Sequence, residues 1–427
     1  MEIISDNENA VVVYPCSRLS GEIRLQGSKN SVLPIMAAAL LKAGVTVLEN
    51  CPDIADVHAM SGLLKKCGCR VEYNEHVMRI DASAADNGIL DDEYSTKMRA
   101  SILLMGSCLG RFGRFVMPPP GGCAIGKRPI DFHVSAMRQL GADISGNFGG
   151  VDAYVGGHGL SGCDIRLPFP SVGATQNCLI AAMGAKGSTR IFNASSEPEV
   201  WDLCCYLRML GAQIEGERTG NIEITPPPVI NSEDIHYTVP ADRIVAGTIL
   251  VAAAGCTGNV YIPNIECDRI QSVIKYLGAH AAVKAPGVVL NTDRRRRLEC
   301  AVSTGPFPEF PTDMQSQFLA LMAVSGNFCI MEENVFDTRF NAAYELNRLG
   351  ADIRIEGRTA YVYGRRHLHG GTVTASDLRG GAALVLAGLF ADEPVTVRGC
   401  EYIRRGYENL SGDLRELGAR IYECSVD

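Results

Sequence analysis

The segment Phe115–His133 concentrates more potential chemistry than any other stretch of the 427 residues. Pro118 to Gly122 cannot lie in a helix interior or a central strand, so Cys123 sits on a loop with Lys127 and Arg128 close behind it. Neighbouring cations lower a thiol's pKa and favour the reactive thiolate, which distinguishes Cys123 from the rest of the sixteen cysteines; the alternative is an inert loop thiol. Gly121-x4-Gly126-Lys127 imitates a phosphate-binding loop. Arg128-Pro129 follows, however, where that motif needs Ser or Thr and a continuing helix, which argues against an ATPase. Lys29, Arg99, Arg339 and Arg405 stand at the starts of structural units instead of on amphipathic faces, placed either to meet an anion or to face water. Asp313 and Asp377 sit at helix starts, where capping competes with acid–base work. Asp293-Arg-Arg-Arg-Arg297 is charge without interleaved aromatics and reads as a solvated turn. His367 and His369 have no carboxylate or cysteine company at ligand spacing, so no metal site is expected.

The elements that position these residues repeat. An amphipathic segment ending in Leu-Gly-Ala and followed by an alternating strand occurs at Leu140-Gly-Ala, Leu210-Gly-Ala, Leu277-Gly-Ala, Leu349-Gly-Ala and Leu417-Gly-Ala, with a degraded copy at Cys67-Gly-Cys. The glycines Gly68, Gly141, Gly211, Gly278, Gly350 and Gly418 recur about every 70 residues and divide the chain into six units. The phrase is a helix end, in which Leu closes the apolar face and Gly takes the left-handed position beyond it. Upstream of these phrases lie helices too apolar and too rich in small residues to face water: 31–41, 174–185, 244–254, 314–324 and 378–389. Short polar residues at their starts, in Ser28-Lys-Asn, Pro170-Ser, Pro240-Ala-Asp, Pro311-Thr-Asp and Ala375-Ser-Asp, are N-cap signatures. Should these helices run parallel, their positive ends would converge on one rim suited to phosphates. Each unit reads as βαβαββ, with a seam at the Pro226–Pro240 stretch. The expected domains are 21–236, carrying the Cys123 loop, and 1–20 plus 237–427, with the active site in the cleft between them.

Bulk properties bound the function. Apolar residues make up 46% and charged residues 21%, enough to fold most of the chain. A formal net charge of −8 does not suit a surface that embraces nucleic acid, so an anionic ligand needs a local basic cluster. The acidic N-terminus has no signal-peptide pattern, and no apolar run is long enough to span a bilayer. With no CxxC pair, most cysteines read as small buried hydrophobes of a reduced, cytoplasmic protein.

Several motifs together resemble the enolpyruvyl transferases, specifically the UDP-N-acetylglucosamine 1-carboxyvinyltransferase family that opens peptidoglycan synthesis. They are Gly27-Ser-Lys-Asn, Met98-Arg-Ala-Ser, Pro120-Gly-Gly-Cys-Ala-Ile-Gly, Arg128-Pro-x-Asp, Pro170-Ser-Val-Gly-Ala-Thr, Pro311-Thr-Asp-Met-Gln and Arg405-Gly-Tyr-Glu. The resemblance covers essentially the whole chain. It implies an α/β fold of two inside-out barrel domains, each of three units around buried parallel helices. It further implies transfer of the enolpyruvyl group of phosphoenolpyruvate to the 3′-hydroxyl of UDP-N-acetylglucosamine with loss of phosphate. No metal, organic cofactor or obligate protein partner is implied.

By the same resemblance, Lys29, Asn30, Arg128 and Arg405 match contacts to phosphoenolpyruvate. Asn30, Arg99, Arg128, Pro129, Ile130, Asp131, Phe132, Ser171, Val172, Gly173, Asp313 and Val335 match contacts to the nucleotide sugar. Asp313 matches the general base, and Cys123 the loop cysteine that protonates the methylene carbon and can form a phospholactoyl adduct. Lys29 and Arg405 belong to the same catalytic set, while Arg339 and Asp377 match residues that complete the site on closure. Asp337-Thr338-Arg339 departs from the family's usual Glu-Asn-Arg, Val245 stands where an acidic residue is common, and Lys127 replaces a small residue. Two other readings stay in view: a shikimate 3-phosphate enolpyruvyl transferase, which lacks the long cysteine loop, and a silent paralogue that only binds the nucleotide sugar.

Overall fold

The computed structural model describes residues 8–121, 130–146, 150–278, 281–284, 286–293, 298, 300–337 and 339–426. The chain divides into two compact units, one containing the described residues from 27 to 240 and the other residues 8–26 and 241–426.

In the 27–240 unit the helices Lys29–Ala39, Leu104–Phe112 and Val172–Ala182 pack against one another at the centre. In the other unit Arg243–Gly255, Gln315–Ala323 and Leu378–Phe390 do the same. Surrounded by protein, these helices bury nearly every residue, and that is why they are built from Ala, Gly, Leu and Val instead of carrying a polar face. Leu104–Phe112 is the one core helix that the apolar pattern does not single out. It is short and continues directly from the 3₁₀ turn Arg99–Leu103.

Three main sheets accompany the three helices in each unit, and their strand order repeats. The strand before a core helix pairs in parallel with the strand after it, as Ala301–Ser303 does with Phe328–Glu332, and two antiparallel strands complete the sheet. The opening strands are exchanged, however. Leu19–Glu22 precedes the 29–39 helix in sequence but pairs with Gly258–Ile262, while Ile235–Thr238 pairs with Val45–Glu49. The expected boundaries at 20/21 and 236/237 therefore fall at 26/27 and 240/241, because hydrogen-bond partners, not sequence neighbours, decide where an opening strand belongs. The strand Glu8–Val13 lies between Val395–Arg398 and Ile421–Val426 and completes that four-stranded sheet.

The six repeat glycines all have positive φ, from +72° to +105°. Gly211 shows why the type is needed: at φ +102° an added Cβ would also lie 3.1 Å from the Pro227 ring. The described cysteines are free thiols, and burial pushes Cys178 up to about 12. Among the described residues no helix is long and apolar enough to cross a membrane, and no cluster of His, Cys, Asp or Glu could hold a metal ion.

One exposed-edge helix carries a pH-sensitive group. On Leu410–Glu416, burial and then the neighbouring Glu408 and Glu416 raise the Asp413 carboxyl to about 7. An unfolded Asp titrates near 3.9, so folding is favoured by retention of this proton at acid pH. That contribution is fully present below about pH 4 and is lost as pH rises through about 7. Asp413→Asn should therefore raise the Tm by a few degrees at pH 8, a gap that closes as the pH is lowered to 4 in paired thermal melts.

Candidate active site

Each unit gathers one constellation of the candidate residues. In the 27–240 unit Ser28 caps the first core helix by accepting from the Ser31 N–H, which places Lys29 on its opening turn. The Lys29 ammonium meets the Asp56 carboxylate at 2.7 Å, and both side chains are largely buried, at 12% and 6% exposure. Asn30 follows, half-buried, and Arg99 opens the 3₁₀ turn 99–103. Ser171 caps the third core helix, accepting from Ala174 N, so Val172 and Gly173 form that helix's half-buried first turn. Ile130 leads into the helix Asp131–Gln139, where Asp131 is exposed and Phe132 half-buried. Cys123, Arg128 and Pro129 lie outside the described residues.

A buried amide ties these pieces together. Asn177 Nδ2 donates to Ile102 O at 3.0 Å and to His133 Nδ1 at 3.0 Å, while its Oδ1 accepts from Gly106 N at 2.8 Å. Because the amide nitrogen can only donate, His133 accepts on Nδ1 and carries its proton on Nε2. A Cβ on Gly173 would lie 3.3 Å from His133 Cε1, so the 171–173 turn sits directly against this ring. Asn177 thus joins the Arg99 turn, the 130–133 segment and the Ser171 turn. It has a sequence signal: with Gln176 it forms a pair of adjacent amides in the middle of an otherwise apolar helix.

In the second unit the three core helices start alike but use their aspartates differently. Asp242 accepts from Ile244 N and Val245 N, and Asp377 accepts from Arg379 N and Gly380 N, so both are caps. Asp313 is engaged differently. It lies in the 3₁₀ turn Thr312–Met314, and its carboxylate is gripped from two sides, by Arg339 Nη2 at 2.8 Å on Oδ1 and by Arg379 Nη2 at 3.2 Å on Oδ2. The arginines are 4% and 3% exposed and Asp313 is 27% exposed, so an anchored carboxylate keeps access to a reactant. The two positions differ: Asp377 caps its helix through Arg379 N and Gly380 N, whereas the Asp313 carboxylate is held by two arginines and stays partly exposed.

Motif spacing does not point to Arg379, although an arginine inside an otherwise apolar helix is a signal of its own. Its guanidinium lies 5.3 Å from the Tyr407 ring centre. Burial works to lower its pKa, but Tyr407, Asp313 and Asp242 outweigh that and hold it above the ordinary arginine range. Arg405 is half-buried just beyond the short helix Cys400–Ile403. The segment after it is clamped by Gln26, whose Nε2 donates to Gly406 O at 3.1 Å and whose Oε1 accepts from Glu408 N at 2.7 Å. Val335 is placed by Glu333, which accepts from the N–H groups of Val335 and Phe336. Cationic donors and an anchored carboxylate are the groups needed to hold a phosphate or carboxylate ligand and to remove a hydroxyl proton.

Comparison with known proteins gives the family. The sequence model of the EPSP synthase (3-phosphoshikimate 1-carboxyvinyltransferase) family matches residues 13–414. The chain is 42% identical over 428 residues to UDP-N-acetylglucosamine 1-carboxyvinyltransferase 1 of Symbiobacterium thermophilum, covering 98% of this chain and 96% of that protein. Among solved structures, the enolpyruvyl transferase NikO from Streptomyces tendae superposes with a TM-score of 0.86 at 25% identity, over 98% of this chain and 100% of NikO. An EPSP synthase from Acinetobacter baumannii superposes with a TM-score of 0.73 at 17% identity, over 98% and 100%, a likeness of fold. With the family model matched over nearly its whole length, the chain belongs to the EPSP synthase (3-phosphoshikimate 1-carboxyvinyltransferase) family of enolpyruvyl transferases.

Proposed function

We propose that the chain transfers the enolpyruvyl group of phosphoenolpyruvate to the 3′-hydroxyl of UDP-N-acetylglucosamine, releasing phosphate, in the cytoplasm and at the entry to peptidoglycan synthesis. The observation that carries this reading is Asp313, a carboxylate held by an arginine at each oxygen and still 27% exposed. Identity of 42% to a protein named for the nucleotide sugar, against 17% to the solved EPSP synthase, supports this acceptor over shikimate 3-phosphate.

Lys29, Asn30, Arg128 and Arg405 hold phosphoenolpyruvate, whose phosphate and carboxylate suit charge-assisted, partly bidentate donors. Arg99, the 128–132 stretch, Ser171, Val172, Gly173 and Val335 hold the nucleotide sugar. Cys123 gives a proton to the methylene carbon, and the neighbouring carbon takes on oxocarbenium character. The 3′-hydroxyl, losing its proton to Asp313, attacks that carbon to give a tetrahedral ketal phosphate. Loss of phosphate with a methyl proton restores the double bond. Arg339, Arg379 and Asp377 keep Asp313 and its surroundings in place.

The direct test is phosphate release from phosphoenolpyruvate with each acceptor supplied separately. Release with the nucleotide sugar alone is expected. Binding of the nucleotide sugar without release would instead favour the silent paralogue. An epoxide phosphonate such as fosfomycin should alkylate Cys123 in the presence of nucleotide sugar. Intact-mass spectra of the wild type should show one adduct, absent from Cys123→Ala.

A further inference from the structure

We propose that Thr312 and Glu333 form a relay that positions Asp313, acting through Arg339. The inference rests on the reading of Asp313 as the group that receives the hydroxyl proton.

Glu333 follows the strand Phe328–Glu332 and is 1% exposed. Among the described residues its carboxylate accepts three hydrogen bonds: from Val335 N at 2.9 Å, from Phe336 N at 3.0 Å and from Thr312 Oγ1 at 2.9 Å. A threonine hydroxyl has one proton, and this one is committed to Glu333, so the lone pairs of Thr312 Oγ1 are presented to a donor. That donor is Arg339, whose Nη1 reaches Thr312 Oγ1 at 2.9 Å while its Nη2 reaches Asp313 Oδ1 at 2.8 Å. The planar guanidinium therefore straddles two consecutive residues, and its orientation depends on the hydroxyl being turned to accept. Without Glu333 the hydroxyl could turn its proton toward Arg339, setting donor against donor. Glu333 also sets the far wall, because the Phe336 backbone it holds carries the ring that lies 5.1 Å from the Arg339 guanidinium carbon.

The order is thus Glu333, Thr312, Arg339, Asp313, with Arg379 holding the second carboxylate oxygen independently. Neither Thr312 nor Glu333 needs to touch substrate. Their effect is to keep Oδ1 in one place as a hydroxyl proton is transferred, where a small displacement is costly. Loss of the relay should consequently reduce turnover more than substrate binding.

Thr312→Val and Thr312→Ser separate this role from packing, since valine keeps the shape and loses the hydroxyl, whereas serine keeps the hydroxyl. Thr312→Val is expected to lower kcat roughly 10- to 30-fold, with KM for both substrates changed less than about threefold. Thr312→Ser should recover most of that loss, and Glu333→Gln should resemble Thr312→Val. Wild-type kcat in Thr312→Val, an equal loss in the serine variant, or a change confined to KM would overturn the relay. Asp313→Asn, assayed alongside, distinguishes the failures. If Asp313→Asn loses turnover and Thr312→Val does not, only the relay is wrong; if Asp313→Asn turns over normally, the reading of Asp313 is wrong and the relay falls with it.

Discussion

Asp313→Asn is expected to lower kcat about 10³-fold, within the range a general base contributes, while the Kd for UDP-N-acetylglucosamine changes by no more than a few-fold. The substitution keeps the shape of the side chain and removes its ability to take a proton. It also takes a negative charge from between two nearly buried guanidinium groups, at 2.8 and 3.2 Å, so the variant should melt several degrees lower. Turnover must therefore be compared well below the variant's Tm, with nucleotide-sugar binding measured by calorimetry on the same preparation. A large loss of kcat with intact binding identifies a group that acts in the chemical step. A loss that follows the folded fraction alone would make Asp313 a structural counter-ion of Arg339 and Arg379.

Lys29 should give the second large effect, with two separable components. Removing its ammonium in Lys29→Met should raise KM for phosphoenolpyruvate between roughly 10- and 100-fold, as expected for losing a charge-assisted hydrogen bond to an anion. The same change strips Asp56 of the ammonium 2.7 Å away in a largely buried setting, which should cost on the order of 3 kcal/mol of stability. Asp56→Asn added to Lys29→Met should restore much of the melting temperature, since no buried carboxylate then lacks its cation, but none of the phosphoenolpyruvate affinity. Steady-state kinetics and melts on the single and double variants check both components. Recovery of KM in the double variant would mean that Lys29 serves only Asp56.

Much of the frame could be read from the sequence because backbone chemistry demands particular residues. Gly68, Gly141, Gly211, Gly278, Gly350 and Gly418 mark helix ends, and all take positive φ. Ser28, Ser171, Asp242 and Asp377 accept from backbone N–H groups at the predicted helix starts. The exchange of Leu19–Glu22 and Ile235–Thr238 was not legible, because a strand's alternation shows which face is buried and not which neighbour it joins. Nor could spacing separate Asp313 from Asp242 and Asp377, which occupy equivalent starts. The difference lies in the 3₁₀ turn at 312–314 and in arginines 26 and 66 residues away in sequence. Glu333 and His133 are not legible in the sequence for the same reason: each acts through a partner distant in sequence, Thr312 or Asn177, on another element.

The acceptor is the centre of the account, and a competition tests it most directly. The wild-type enzyme is given carbon-labelled phosphoenolpyruvate with equal concentrations of UDP-N-acetylglucosamine and shikimate 3-phosphate, and both products are followed by mass spectrometry. The predicted result is label in the nucleotide sugar alone, which gains one enolpyruvyl group for each phosphate released. Label in the shikimate ester, or intact phosphoenolpyruvate beside two unchanged acceptors, would contradict it.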